Sequence, residues 1–271
     1  NSTSQADDYF NTVLYTSDNI GADGTQNVTG VGFKPDWVWL KNRTSGSTSH
    51  TLYDSNRGTG RHLSSDSTGA EVGLNSQYGY LGTFGDDGYT LRGGSTNANY
   101  VNQSTDAYAS WNWKSNGGVT STLTDGSINT TVQVNATAGF SIMTFVSDNQ
   151  NGTTLAHGLG VAPAWFIIKD RDEDNAFYHY HKGLGSGKFT SWGAGSLGTG
   201  APETSTTVWG NTDPTSTLIT VGIGNMSFDN GHNIVAYAFA EVEGYSKFGS
   251  YTGNGSADGT FVYTGFKPAF L

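Results

Sequence analysis

Cysteine is absent from the 271 residues, so no disulfide framework, zinc–thiolate centre or cysteine nucleophile can exist. Charge is scarce too. Only 13% of residues are charged, and 13 Lys and Arg against 23 Asp and Glu give a formal net charge of −10. Binding to a phosphate backbone draws its affinity from clustered cations, and these are scattered, which argues against a nucleic-acid partner. The acidic balance favours solubility and self-repulsion and names no ligand. No apolar run approaches the roughly 20 residues that span a bilayer as a helix, so membrane insertion is not expected. No segment carries a capped 3.6-residue apolar stripe, so little helix is expected either.

What the chain does contain is rings and turn formers. Seven Trp, 14 Tyr and 14 Phe accompany 39 Gly in a sequence that is only 35% hydrophobic. A disordered chain lacks the apolar area to offset ordering entropy, whereas here large rings recur at regular intervals. Gly, Asn, Ser, Thr and Asp at this density supply turns between many short strands.

Three segments share one pattern: YTSDNIGADGTQNVTGVGFKPDWVWLKNR (15–43), FVSDNQNGTTLAHGLGVAPAWFIIKDR (145–171) and YTGNGSADGTFVYTGFKPAFL (251–271). Each runs from an aromatic strand end through a turn-rich stretch to a G-x-x-P turn and an apolar run. Trp37-Val38-Trp39-Leu40 and Trp165-Phe166-Ile167-Ile168 are β-branched and aromatic, of strand length, and predict buried strands. Later landmarks recur in the same order. HTLYDSNRG (50–58) answers to FYHYHKGLG (177–185), and DAYASWNWK (106–114) to HNIVAYAFAE (232–241). Near-equal spacing and shared order predict tandem duplication. The expected organisation is an N-terminal segment at 1–12, a β repeat at 13–116, a linker or edge strand at 117–138, a second repeat at 139–245, and the truncated start of a third at 246–271.

The closing strands alternate. Ala109, Trp111 and Trp113 take one face against Tyr108, Ser110, Asn112 and Lys114. Val235, Tyr237 and Phe239 likewise oppose Ile234, Ala236, Ala238 and Ala240. Period two with a face of large residues predicts sheets packed on sheets, an all-β fold of tandem β-sandwich or jelly-roll-like repeats.

Motifs for chemistry are weak. GLGSGKF (183–189) lacks the spacing and the Ser or Thr of a phosphate loop, and a surface turn is expected. His179 and His181 share a strand face without further ligands nearby, and Asp170, Asp172 and Asp174 lack the Gly and Glu of a calcium loop. A charged hairpin is expected there, with a calcium site of another geometry as the alternative. Glu71 and Glu203 fall at matching places in the two repeats, which predicts a shared structural role over a carboxylate pair for glycoside hydrolysis. GAGSLG (193–198) has the wrong spacing for a nucleophile elbow. No catalytic residue, metal or cofactor is assigned. The ligand candidates are Trp192 and Trp209, rings in Gly/Thr-rich surroundings that can stack on sugar faces; the alternative is that they cap the core. The Gly-rich stretch from Lys188 to Thr207 is expected to form a variable, partner-facing loop.

DYFNTVLYTSDN, GVGFKPDWVWLKNR, LYDSNRG, SWNWKSNGG, TDGSINTTVQVNATAGFSI, HGLGVAPAWFIIK and AEVEGYSKFGSYTGNGSADGTFVYTGFKPAF, spanning Asp8 to Leu271, resemble structural proteins of marine tailed bacteriophages. The resemblance implies a non-enzymatic virion protein on the particle surface. It would be a tail fibre or similar appendage that contacts the host, with capsid decoration or a head fibre as the alternative. The implied partners are other virion proteins, copies of the chain itself in a homo-oligomer, and a host surface glycan or receptor. A lectin-like adhesion module is a further alternative, and a polysaccharide depolymerase the least favoured.

Overall fold

The computed structural model describes residues 6–271 apart from 19, 23, 76, 97–99, 104, 194–200 and 224–227. The chain is all-β. Its only described helix is a 3-10 turn at Ala6–Asp8.

The first half contains β1 (Phe10–Thr16), β2 (Thr25–Thr29), β3 (Trp37–Asn42), β4 (Thr51–Asp54), β5 (Tyr80–Gly85), β6 (Gly88–Arg92) and β7 (Ala107–Trp113). Two short strands follow, β8 (Ser121–Leu123) and β9 (Thr130–Asn135). The second half contains β10 (Phe140–Val146), β11 (Thr153–Ala156), β12 (Trp165–Asp170), β13 (Phe177–His181), β14 (Lys188–Trp192), β15 (Glu203–Thr204), β16 (Leu218–Val221) and β17 (Asn233–Phe239).

Strand order repeats between the halves. One sheet runs β1-β7-β3-β4, and the order β10-β17-β12-β13 sits inside the largest sheet. Register repeats as well: Phe10 and Trp37 both face Trp113, and Phe140 and Trp165 both face Phe239. Each half adds a small sheet on its outer side, β2-β6-β5 in the first and β11-β16 in the second.

The second large sheet is extended at both edges, giving β15-β14-β13-β12-β17-β10-β9-β8. Thus the stretch between the halves is sheet: β9 pairs along β10, and β8 pairs along β9. The stretch from Lys188 to Thr207 departs from the open loop expected of it. Its ends are β14 and β15, Phe189 is buried, and 194–200 lies outside the described residues.

The sheets stack in four layers with three cores. Val28, Val38, Leu40, Tyr53, Leu81 and Leu91 fill the space between β2-β6-β5 and the first large sheet. Phe145, Phe166, Tyr178, Phe189, Trp209 and Ile219 fill the corresponding outer space of the second half. Between the two large sheets lie Trp37, Leu52, Trp113, Phe140, Ile142, Ile167, Tyr237 and Phe239. The alternation of β17 explains how one strand serves two cores. Val235, Tyr237 and Phe239 enter the central layer, while Ile234, Ala236, Ala238 and Ala240 enter the outer one. The small alanines leave room for Phe166 and Trp209, whose rings meet edge to face at 4.9 Å.

Tyr108, Ser110 and Asn112 on the other face of β7 are buried rather than solvated, and they bond to neighbouring backbone, although the Asn112 side-chain oxygen has no partner. Asn112 donates to the carbonyl of Asn11 at 3.1 Å, and the Tyr108 hydroxyl accepts from the Gln103 N–H at 2.8 Å. At the β5–β6 hairpin, Asp87 accepts from the N–H groups of Gly30 and Gly32 at 3.1 and 2.6 Å. Gly88 follows with φ +146°, and a Cβ there would strike the Val28 carbonyl. Only glycine fits that approach.

Candidate functional site

Six of the seven tryptophans converge on the central layer. Trp37 stacks on Tyr237 at 4.5 Å and packs on Trp113 at 4.5 Å, and Trp165 stacks on Phe239 at 5.1 Å. They converge because β3 and β7 place Trp37, Trp39, Trp111 and Trp113 on one face by period two, and β12 and β14 contribute Trp165 and Trp192 from the facing sheet.

The layer closes at one end and opens at the other. Trp37 is 1% exposed, whereas Trp39, Trp111, Trp165 and Trp192 are half-buried. Trp39 lies 6.0 Å from Trp111 and 5.7 Å from Trp192, and its indole N–H donates to His50 Nδ1 at 2.8 Å. A cavity of about 220 Å³ runs alongside, walled by Phe10, Trp37, Trp113, Phe140, Trp165 and Phe239. The C-terminal residues 264–271 form its outer wall. There Phe270 meets Trp113 at 5.5 Å, Phe10 at 6.0 Å and Trp111 at 6.0 Å. Phe270 stands in GFKPAF where Trp37 stands in GFKPDW, so the third copy of the motif delivers its ring to the same aromatic seam.

The cavity can hold apolar or planar groups. Among the described residues no carboxylate or histidine lines it, and its polar wall consists of Tyr245, Ser246, Lys247, Thr264 and Lys267. The Trp37 indole N–H is buried without a hydrogen-bond partner.

A family model described as Domain of unknown function (DUF7483) matches residues 5–271. The chain belongs to the DUF7483 family. The match covers both halves and the C-terminal segment, so the seam lies within one DUF7483 domain. No curated protein and no solved structure matches the chain.

The two tryptophans singled out from the sequence part company in this DUF7483 chain. Trp192 lies at the seam, edge-on to His179 at 3.9 Å. Trp209 is fully buried, with its indole N–H donating to the Lys188 carbonyl at 3.0 Å. A ring closed in on all sides offers no face to a sugar, so Trp209 is a core residue. Trp39 and Trp111, which sequence reasoning treated only as strand residues, share the open end with Trp192. The alternation of β7 carried that signal, since a face with two tryptophans needs a partner surface.

The other motifs have structural duties. His179 is buried, and desolvation pulls its imidazole down to about 3. His181 is lowered by burial and accepts from the Gly183 N–H. The residues of GLGSGKF turn from β13 into β14, and Phe189 enters the core. Asp170 is buried beside His232 Nδ1 at 2.9 Å, Asp172 accepts from the Asn233 N–H at 2.6 Å, and Asp174 accepts from the Ala70 N–H at 2.9 Å. These three aspartates tie down a hairpin and neighbouring backbone. Glu173, Asp229 and His232 bring ligand-type atoms within 4.8 Å of one another on the surface. GAGSLG falls partly on 194–200, outside the described residues.

Glu71 and Glu203 do not share a role. Glu203 sits on β15 opposite Phe189. Glu71 is the centre of a charge network between the halves, with Arg57 Nη1 at 2.8 Å and Arg171 in two-pronged contact at 2.9 Å. Arg57 also reaches Asp54 at 2.5 Å, and the Tyr237 hydroxyl donates to Asp54 at 2.6 Å. Burial favours the neutral acid at Glu71, but the Arg171 hydrogen bonds and the charges of Arg57 and Arg171 outweigh it and hold the carboxyl at about 2.

Proposed function

We propose that this chain is a non-enzymatic structural component of a bacteriophage virion, a tail fibre or surface appendage that contacts the host. The observation that carries the reading is the aromatic seam, where two large sheets pack face to face and the third GFKP motif inserts Phe270. A surface that joins successive β units by their rings suits a repeating appendage, because each added unit buries its neighbour's apolar face. The shared strand order of the two halves supports the duplication on which such repetition rests. Its partners are other virion proteins and further copies of the chain.

Antibodies against the purified chain, applied to particles that encode it and imaged by electron microscopy, test this. Label on the tail or its fibres is the expected result. Label on the capsid lattice moves the role to decoration or a head fibre, and unlabelled particles overturn the reading.

A second reading, glycan adhesion, is favoured by the half-buried rings of Trp39, Trp111 and Trp192 at the open end of the seam. Aromatic faces next to polar groups can stack on sugar rings. If the seam binds saccharide, Trp192→Ala removes binding on a glycan array while Trp192→Phe retains part of it. An array with no signal from the parent chain at millimolar saccharide overturns adhesion and leaves the structural role.

A further inference from the structure

Four strands end the two large sheets, and three of them are protected. β8 has three residues and β15 two, too short to template a long partner. β4 is flanked by a bridge from Leu52 to Leu63. The fourth, β1, has seven residues, FNTVLYT, with neither charge nor proline. Natural sheets blunt long edges with exactly those devices, and an edge without them is a template for another strand.

The backbone of β1 is poised for pairing. The carbonyl of Tyr9 accepts from the Lys114 N–H and the N–H of Ser17 donates to the Asp106 carbonyl, just beyond the two ends of β7, so the backbone groups of the odd-numbered residues face inward. Phe10, Thr12, Leu14 and Thr16 therefore turn their backbone groups outward, where the Thr12 N–H meets the Asn11 side-chain oxygen at 2.9 Å, and Leu14 is 60% exposed. The second half shows what this position accepts. β10, the counterpart of β1, carries β9 as an antiparallel neighbour along the same edge.

The donor is on the same molecule type. Thr260-Phe261-Val262-Tyr263-Thr264 shares its first Thr and central Val with the Thr130-Thr131-Val132-Gln133-Val134 stretch of β9, and carries rings at its second and fourth positions. It forms no strand within its own copy. Phe261 is 86% exposed and Tyr263 80% exposed. Phe10 and Phe140 hold equivalent places in their sheets, which makes Leu14 equivalent to Thr144 and Thr12 to Ile142. In the β9–β10 register Thr131 faces Thr144 and Gln133 faces Ile142. Carried over to β1, that register sets Phe261 opposite Leu14 and Tyr263 opposite Thr12, on the face that holds Trp111.

We infer that the outer edge of β1 is a strand-addition site occupied by residues 260–264 of a second copy. Donor and acceptor are different segments of the chain, so the contact is heterologous, and where the exchange is not reciprocal it propagates from copy to copy. This self-association stands on strand geometry and holds whether or not the chain resides on a virion.

The absence of cysteine makes the test direct. Full-length Leu14→Cys and Phe261→Cys copies, mixed and oxidised, are expected to give a disulfide-linked heterodimer, because opposed strand positions lie within bridging distance. A Leu14→Cys/Phe261→Cys double variant is expected to give a ladder of linked oligomers. In sedimentation velocity the parent chain is expected to associate with rising concentration, and Leu14→Lys, on an exposed side chain that folding does not need, to weaken that association by about tenfold or more. A cross-link confined within single copies of the double variant places the segment on its own β1 and overturns the inference. So does a parent chain that stays monomeric, or association that Leu14→Lys leaves unchanged.

Discussion

Glu71→Ala is expected to lower the free energy of unfolding by about 3–5 kcal/mol, the cost of leaving buried charge without its partner. Among the described residues Glu71 is the only carboxylate that meets both Arg57 of the first half and Arg171 of the second. The Arg57 side chain is fully buried and that of Arg171 is 14% exposed, so water cannot replace the lost oxygens at Arg57. The loss should appear as a lower denaturation midpoint with little change in the slope, since the surface exposed on unfolding is nearly the same. Glu71→Gln keeps the shape and removes the charge, and falls between the two.

The same group gives a pH dependence of defined sign. Its folded carboxyl sits at about 2, below its ordinary 4.5. A depressed acid contributes its full stability above the unfolded value and loses it as pH falls through the folded one. The Glu71 contribution is therefore complete above about pH 4.5 and fades toward pH 2. Denaturation midpoints across that window should fall less steeply in Glu71→Gln than in the parent chain. Parallel pH profiles would show that Glu71 does not drive the acid response.

Trp37→Ala is expected to cost about 3–5 kcal/mol, the range for removing a large aromatic from a packed core. Trp37 touches Trp113 of its own sheet and Phe140, Tyr237 and Phe239 of the facing sheet. Its removal opens a hole where the halves meet, so the halves should lose stability together. Urea unfolding followed by near-ultraviolet circular dichroism and by fluorescence checks this. Coincident transitions shifted to lower urea are expected. A variant as stable as the parent would mean that the central layer contributes little.

Much of the molecule was legible locally. Alternation in β7 and β17, the apolar runs of β3 and β12, and the Gly, Asn and Asp turns between them follow from a two-residue side-chain period and the φ preferences of single residues. Neighbouring residues carry those signals, so the all-β class could be read in advance. The stretch 117–138 was ambiguous because its Gly, Ser and Thr suit a linker equally well, and only a free edge on β10 makes β9 a strand.

The amino-acid sequence by itself determined that this chain has no thiol chemistry, little helix, and strands with one ring-bearing face. It also marked Trp192 and Trp209 as rings to account for. Which faces meet was decided by the tertiary structure. Tyr237 reaches Asp54 across 183 residues and Arg171 reaches Glu71 across 100, and no local pattern encodes either pairing. The same holds for the tryptophans. Period two places a ring on a face, but whether that face lies against a second sheet, as for Trp37, under Phe166 and Tyr180, as for Trp209, or at an open seam, as for Trp39 and Trp111, depends on how the layers stack. Burial of apolar area drives the stacking and has no direction of its own. The partner of each face is therefore a property of the whole molecule.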